Sequence, residues 1–119
     1  MIEKYKFQNL SVYQLSLDYI DQVYSSIIGL PDSEKYNLSS QIKRTATSIA
    51  LNIAEGSTGQ SNAEFRQFIG YAIRSAVEVV SCLYLAKKRD IIKHNKFQKL
   101  YIETEIIVKM LQALRKAMR

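Results

Sequence analysis

His94 is the only histidine in the chain, and it follows Arg89 in the sextet Arg89-Asp90-Ile91-Ile92-Lys93-His94. An arginine that grips phosphate and an imidazole that moves a proton together suit general acid–base cleavage of RNA. Against that use, the sextet falls where one helix is expected to end and the next to begin. His94 then reads as a polar residue ahead of a helix. Other chemistry is harder to assemble. A single histidine cannot supply the paired Glu-x-x-His ligands of a di-iron bundle, and no Cys/His set could hold zinc. The Gly56–Gly59 loop lacks the Gly-Lys-Ser/Thr of a phosphate-binding loop, and no Ser-His-Asp arrangement is suggested. The expectation is no enzyme, with no catalytic residues, metal or cofactor.

Binding chemistry is better represented. The formal net charge is +6, and it is unevenly placed. Residues 1–56 carry five Lys/Arg against six Asp/Glu, whereas residues 57–119 carry twelve against five. A basic half can attract nucleic acid, and it can equally be a solvated surface that keeps an oligomer soluble. The candidates for phosphate contact are Lys43 and Arg44, Arg66 and Arg74, and the cluster Lys87, Lys88, Arg89, Lys93, Lys96 and Lys99. Such a binder loses affinity steeply with salt. Tyr13, Tyr19, Tyr24 and Tyr71 stand at spacings that suit packing better than base stacking.

Helices must position these groups. At 119 residues, with one proline and four glycines, the chain fits one domain with long uninterrupted stretches. No apolar run approaches the roughly 20 residues of a membrane span, and the N-terminus has no secretory signal pattern. Cys82 stands alone, which excludes an internal disulfide and fits a reducing cytoplasm.

Ser11-Val12-Tyr13-Gln14 has the form of a capping box and predicts a first helix over 12–28, with Gly29 free to take a left-handed conformation and Pro31 barring continuation. After a short turn over Asp32–Tyr36, a second helix spans 39–55, capped by Gly56. Ser61-Asn62-Ala63-Glu64 opens a third over 62–89, whose Phe65, Ile69, Ala72, Ala76, Val79 and Leu83 recur at helical period. The fourth, over 95–118, carries Phe97, Leu100, Thr104, Ile107, Leu111 and Leu114 in 3,4 alternation. Four such helices with short connections imply an all-α, antiparallel up-down-up-down four-helix bundle.

Helix one is apolar on two sides. Tyr13, Leu17, Ile20, Tyr24 and Ile27 form one face, and Val12, Leu15, Tyr19 and Val23 another, together covering an arc of roughly 220°. Helix four likewise has Ile102, Ile106 and Met110 beside its main stripe. A lone bundle should not leave such second stripes in water, so Val12, Leu15, Tyr19, Val23, Ile102, Ile106 and Met110 are the expected contacts of a homo-oligomer; the alternative is a wide face closed within the chain by the N-terminal segment around Phe7. On helix two, Gln41, Arg44, Ser48, Asn52 and Glu55 fall within one arc of roughly 80°. They read as a polar network in which Arg44 and Glu55 tie helix two to helix three through Glu78, or to another subunit; a phosphate-binding surface is the other use.

The segment Gln41 to Gly56, ending Asn52-Ile53-Ala54-Glu55-Gly56, resembles the four-helix-bundle family of proteins encoded in intervening sequences of bacterial 23S ribosomal RNA genes. Phe7-x-x-Leu10-x-Val12-Tyr13, Pro31 to Leu38, Glu64-Phe65, Phe68, Ser75 and Glu78 extend the likeness over nearly the whole chain. The family includes the accessory variability protein of diversity-generating retroelements. The resemblance implies a homopentameric ring, and for the retroelement members binding of RNA and of a nucleic-acid-processing partner, a reverse transcriptase. It places the Arg89–His94 sextet in a connecting turn, although that sextet has the Arg and His spacing of the helical RNases of toxin systems. Three readings stand: an oligomeric module binding RNA or protein, a structural protein whose basic face only solvates it, and an Arg/His nuclease.

Overall fold

The computed structural model describes residues 5–27, 33–59 and 61–118, with the side chains of residues 33–36 outside that description. A short 3-10 helix, Lys6–Asn9, leads into α1 (Ser11–Ser26), α2 (Ser33–Ser57), α3 (Asn62–Lys88) and α4 (His94–Ala117). Among the described residues there is no strand. Helix α3 packs against α2 and α4, and α1 closes the ring against the same two helices. The long dimension of 44 Å is little more than the length of α3, 27 residues at about 1.5 Å each.

The core is the one the helical period predicts on α3 and α4. Phe65, Ile69, Ala72, Ala76, Val79 and Leu83 meet Phe97, Leu100, Ile107 and Leu111, and Ile42, Ala46, Ile49 and Ile53 complete it from α2. By length and composition α3 also passes for a membrane-crossing helix, with a mean hydropathy of 1.4 over its most apolar window. Arg66, Arg74 and Glu78 interrupt the helix, so no continuous apolar run of membrane-crossing length is present in it. Its apolar stripe is the centre of the bundle.

On α1 the core takes residues from both apolar faces, with Ile27 buried and Tyr13 and Ile20 packed against the core. Val12, Tyr19 and Val23, assigned above to an oligomer contact, are buried within the single chain, and Leu15 is half-buried against the core. Leu17 and Tyr24 are exposed instead. Ser16 is fully buried on the same side of the helix as Val12, Tyr19 and Val23, and it donates to the Tyr13 carbonyl at 2.7 Å.

Three helix ends also differ from expectation. Ser11 is the first helical residue of α1 and makes no cap, because the preceding 3-10 turn places Leu10 at the cap position. Gln14 reaches back to the Gln8 carbonyl at 2.9 Å and pins that turn. Helix α2 begins at Ser33, six residues early, because Asn37 continues the helix where a break was expected. Ile28, Gly29, Pro31 and Asp32, where the end of the first helix and the following turn are expected, lie outside the described residues. Gly56 is inside α2, without positive φ, and its role is proximity: a Cβ there would stand 2.5 Å from the Phe68 Cβ. The expected Ser61 cap of α3 is present, accepting from the Glu64 N–H at 3.1 Å.

Candidate nucleic-acid interface

The basic residues singled out from the sequence occupy three separate places. Lys43 lies with its ammonium 5.1 Å from the Tyr24 ring centroid, which ties α2 to α1. Arg44 donates to Gln41 Oε1 at 2.8 Å, beside the α2–α3 seam. Neither points toward the other cations.

Arg66 and Arg74 stand along the outer groove between α3 and α4. Because those helices are antiparallel, the first turns of α3 lie beside the last turns of α4. Arg66, Gln112, Arg115 and Lys116 therefore line one hollow of about 540 Å³. Arg66, Gly70, Arg74 and Arg115 share the adjoining one. Gly70 lets the Arg115 guanidinium lie close to the α3 backbone, since a Cβ there would meet Arg115 Nη1 at 3.6 Å. Among the described residues, no carboxylate lines either hollow. Four cations held together with no carboxylate among these lining residues create a field that favours a polyanion. Arg115 and Lys116 escaped the sequence reading, although the antiparallel pairing of helices three and four would have brought them to Arg66.

The third place is the turn between α3 and α4. Arg89, Asp90 and Ile91 end α3 in a Schellman arrangement, with Asp90 at φ 58°, the Asp90 N–H on the Lys87 carbonyl at 3.2 Å and the Ile91 N–H on the Ala86 carbonyl at 2.9 Å. Ile91 and Ile92 are buried, so the turn is anchored and its Lys87, Lys88, Arg89, Lys93 and His94 stand outside. Lys93 and Lys96 line a hollow with Ser25, Ser26 and Asp90. Lys87 faces the other way, its ammonium 4.7 Å from the Phe97 ring centroid. Lys99 is exposed farther along α4.

The polar line of α2 faces α3. Thr45 donates to Glu78 Oε2 at 2.7 Å, Gln41 reaches the same oxygen at 3.4 Å, and Ser48 donates to Ser75 Oγ at 2.7 Å. Asn52 bonds back to the Ser48 carbonyl at 2.8 Å. Glu55 is exposed and Arg44 bonds only Gln41 among the described residues, so within the chain the two do not tie α2 to α3. Thr45 and Ser75, not singled out from the sequence, complete the seam. Cys82 is buried nearby, and burial, then Glu78, pushes its thiol above the ordinary range. No group of three or more His, Cys, Asp or Glu among the described residues could hold a metal ion.

A four-helix bundle with a polar α2–α3 seam and a basic α3–α4 groove is the class of protein these features define. Residues 8–113 match the family model of the 23S rRNA-intervening sequence proteins, and the chain belongs to that family. Its fold is also that of a crystal structure from Bacteroides thetaiotaomicron, a protein of unknown function from the S23 ribosomal protein family. The two align with a TM-score of 0.80 and 26% identity over 88% of this chain and 98% of the other. A search of the curated proteins finds no match. Neither description carries a catalytic assignment.

Proposed function

We propose that the chain is a non-catalytic, cytoplasmic RNA-binding subunit of a homo-oligomer, holding its ligand along the α3–α4 face. The observation that carries this reading is the convergence of Arg66, Arg74, Arg115 and Lys116 on a groove that no carboxylate lines among the described residues. A surface whose charge served only to keep the protein dissolved would gain nothing from that convergence, which raises the repulsion among its own cations. Fluorescence anisotropy of a labelled single-stranded RNA at rising salt tests it. Each phosphate contact contributes roughly 0.7 to the slope of log affinity against log salt, so Arg66→Ala with Arg115→Ala should flatten it by about 1.4. A slope unchanged by the double variant would leave the groove a solvated surface. RNA cut by the wild type and spared by His94→Ala would move the assignment to a nuclease.

The oligomer rests on α4. Ile106 is 45% exposed, and Ala113 and Ala117 continue the same outward line; Ile102, 60% exposed, stands at its end beside Gln98 and Tyr101. Met110 is half-buried at its edge. Such a line is covered when copies associate, as in the ring of five that the family resemblance implies. Light scattering behind a sizing column should give a multiple of 13.7 kDa, falling to the single mass in Ile106→Lys.

A further inference from the structure

At the turn end of the same α3–α4 face the surface changes character. Phe97 is buried, and three rings gather around it. Tyr84 meets it edge-on with centroids 5.0 Å apart, Tyr101 lies at 6.1 Å and 30°, and His94 stacks at 6.5 Å and 13°. These three rings, with Lys87, Gln98 and the side of Ile102, line an open hollow. Tyr84 is 54% exposed, so its ring contributes little to the core. Its hydroxyl and that of Tyr101 make no hydrogen bond to the described residues. Residues 87–99 bring six Lys/Arg to this end against a single carboxylate, Asp90.

We propose that this hollow holds one unpaired nucleobase, stacked on the exposed Tyr84 ring, while Lys87 and Lys88 beside that ring take the flanking phosphates. This rests on the RNA-binding reading above and adds to it the state of the RNA. A base inside a duplex has both faces covered by its neighbours, so only a base in a loop, bulge or single strand can offer a face to an aromatic ring. The exposed ring supplies a stacking surface that tolerates any base. Gln98 supplies an amide that can both donate and accept along a base edge. Lys87 and Lys88 supply the attraction for phosphate, and Asp90 lies with Lys93 and Lys96 in a neighbouring hollow that shares only His94 with this one. The arginine groove lies about 27 Å away along α3, at 1.5 Å per residue from 66 to 84, so a bound strand would run from one end of the bundle toward the other.

The test compares a twelve-nucleotide oligouridylate with an abasic strand of the same length and charge, by anisotropy at one salt concentration. The oligouridylate is expected to bind about tenfold more tightly, the scale of one base stacked on one aromatic ring. Tyr84→Leu, which keeps an apolar contact with Phe97, should erase most of that gap without changing affinity for the abasic strand. Arg66→Ala with Arg115→Ala should weaken both strands alike and preserve the gap. Equal affinity of the wild type for both strands, or a gap that survives Tyr84→Leu, overturns the stacking site and leaves the electrostatic reading standing. Failure of both strands to bind overturns both. A helical circular dichroism spectrum for each variant confirms that the comparison is between folded proteins.

Discussion

The Tyr19 hydroxyl lies 2.6 Å from Thr104 Oγ1, joining α1 to α4 across the middle of the core. Thr104 also donates to the Leu100 carbonyl at 2.7 Å, which makes Tyr19 the donor in the pair. Both side chains are essentially inaccessible to water. The two partners are thus unequal. Tyr19→Phe removes a donor and leaves Thr104 bonded to Leu100, at a cost of about 1 kcal/mol. Thr104→Val leaves the tyrosine hydroxyl buried without an acceptor and should cost about 1–3 kcal/mol. Urea denaturation of the two variants should show that order; equal losses would mean that the hydroxyl finds another partner.

Alkaline pH acts on the same residue. Burial, against the opposing Thr104 hydrogen bond and with a further push from Glu103, raises the Tyr19 pKa from 10.0 to about 12. A raised folded value means that the unfolded chain loses this proton first. The stabilisation it represents is whole below pH 10 and is lost as pH rises to about 12. The loss amounts to roughly 1.4 kcal/mol per pH unit for one proton. In Tyr19→Phe the stability–pH curve should be flatter over that window. A curve parallel to wild type would show that Tyr19 ionises no later in the folded protein.

Gly56 offers a prediction whose sign is informative. Within a helix, Gly→Ala ordinarily stabilises by about 1 kcal/mol. Here the new methyl would stand 2.5 Å from the Phe68 Cβ and 3.1 Å from Phe65 Cδ1, atoms fixed to the facing helix. Overpacking of that kind costs about 1–3 kcal/mol. Gly56→Ala should therefore lower the urea midpoint, whereas a rise would mean that α2 and α3 can part without loss.

Asp90 offers the opposite case. It holds a left-handed φ of 58° at the end of α3, and its charge adds to the negative end of the helix dipole. Asp90→Gly should raise stability by about 0.5–1 kcal/mol in thermal or urea unfolding. No change would mean that the aspartate side chain repays the strain locally.

Much of this architecture was legible in the sequence because α3 and α4 each have one dominant stripe. Phe65 to Leu83 runs without a rival, and on α4 the larger residues from Phe97 to Leu114 outweigh the second line of Ile102, Ile106 and Met110. Helix α1 has two, and periodicity cannot rank Val12, Tyr19 and Val23 above Leu17 and Tyr24. The choice depends on Ser16, whose smallness fits the crowded side, and on Thr104, a hydroxyl 85 residues away. On α2 the polar line of Gln41, Ser48 and Asn52 was readable, but not that Thr45 would reach Glu78 in place of Arg44. Two adjacent positions on a helix differ by only about 100°, and the facing helix decides between them. The arginine groove was half-visible for a different reason: Arg66 and Arg74 stood out, whereas Arg115 and Lys116 belong to the site only once the two helices are laid side by side.

The ring of contacts has a bearing on the order in which the bundle is built. Helices α2 and α3 share the most extensive contact, and only a short connection separates them, so this hairpin is cheap to close early. The first helix meets the last only after the whole chain has come round. The Tyr19–Thr104 pair therefore belongs to the final step, and loosening it should quicken unfolding while leaving the folding rate nearly unchanged. Stopped-flow kinetics on Tyr19→Phe would read this directly. The hydroxyl pair then sets how long a folded molecule lasts, while the α2–α3 hairpin sets how quickly one forms.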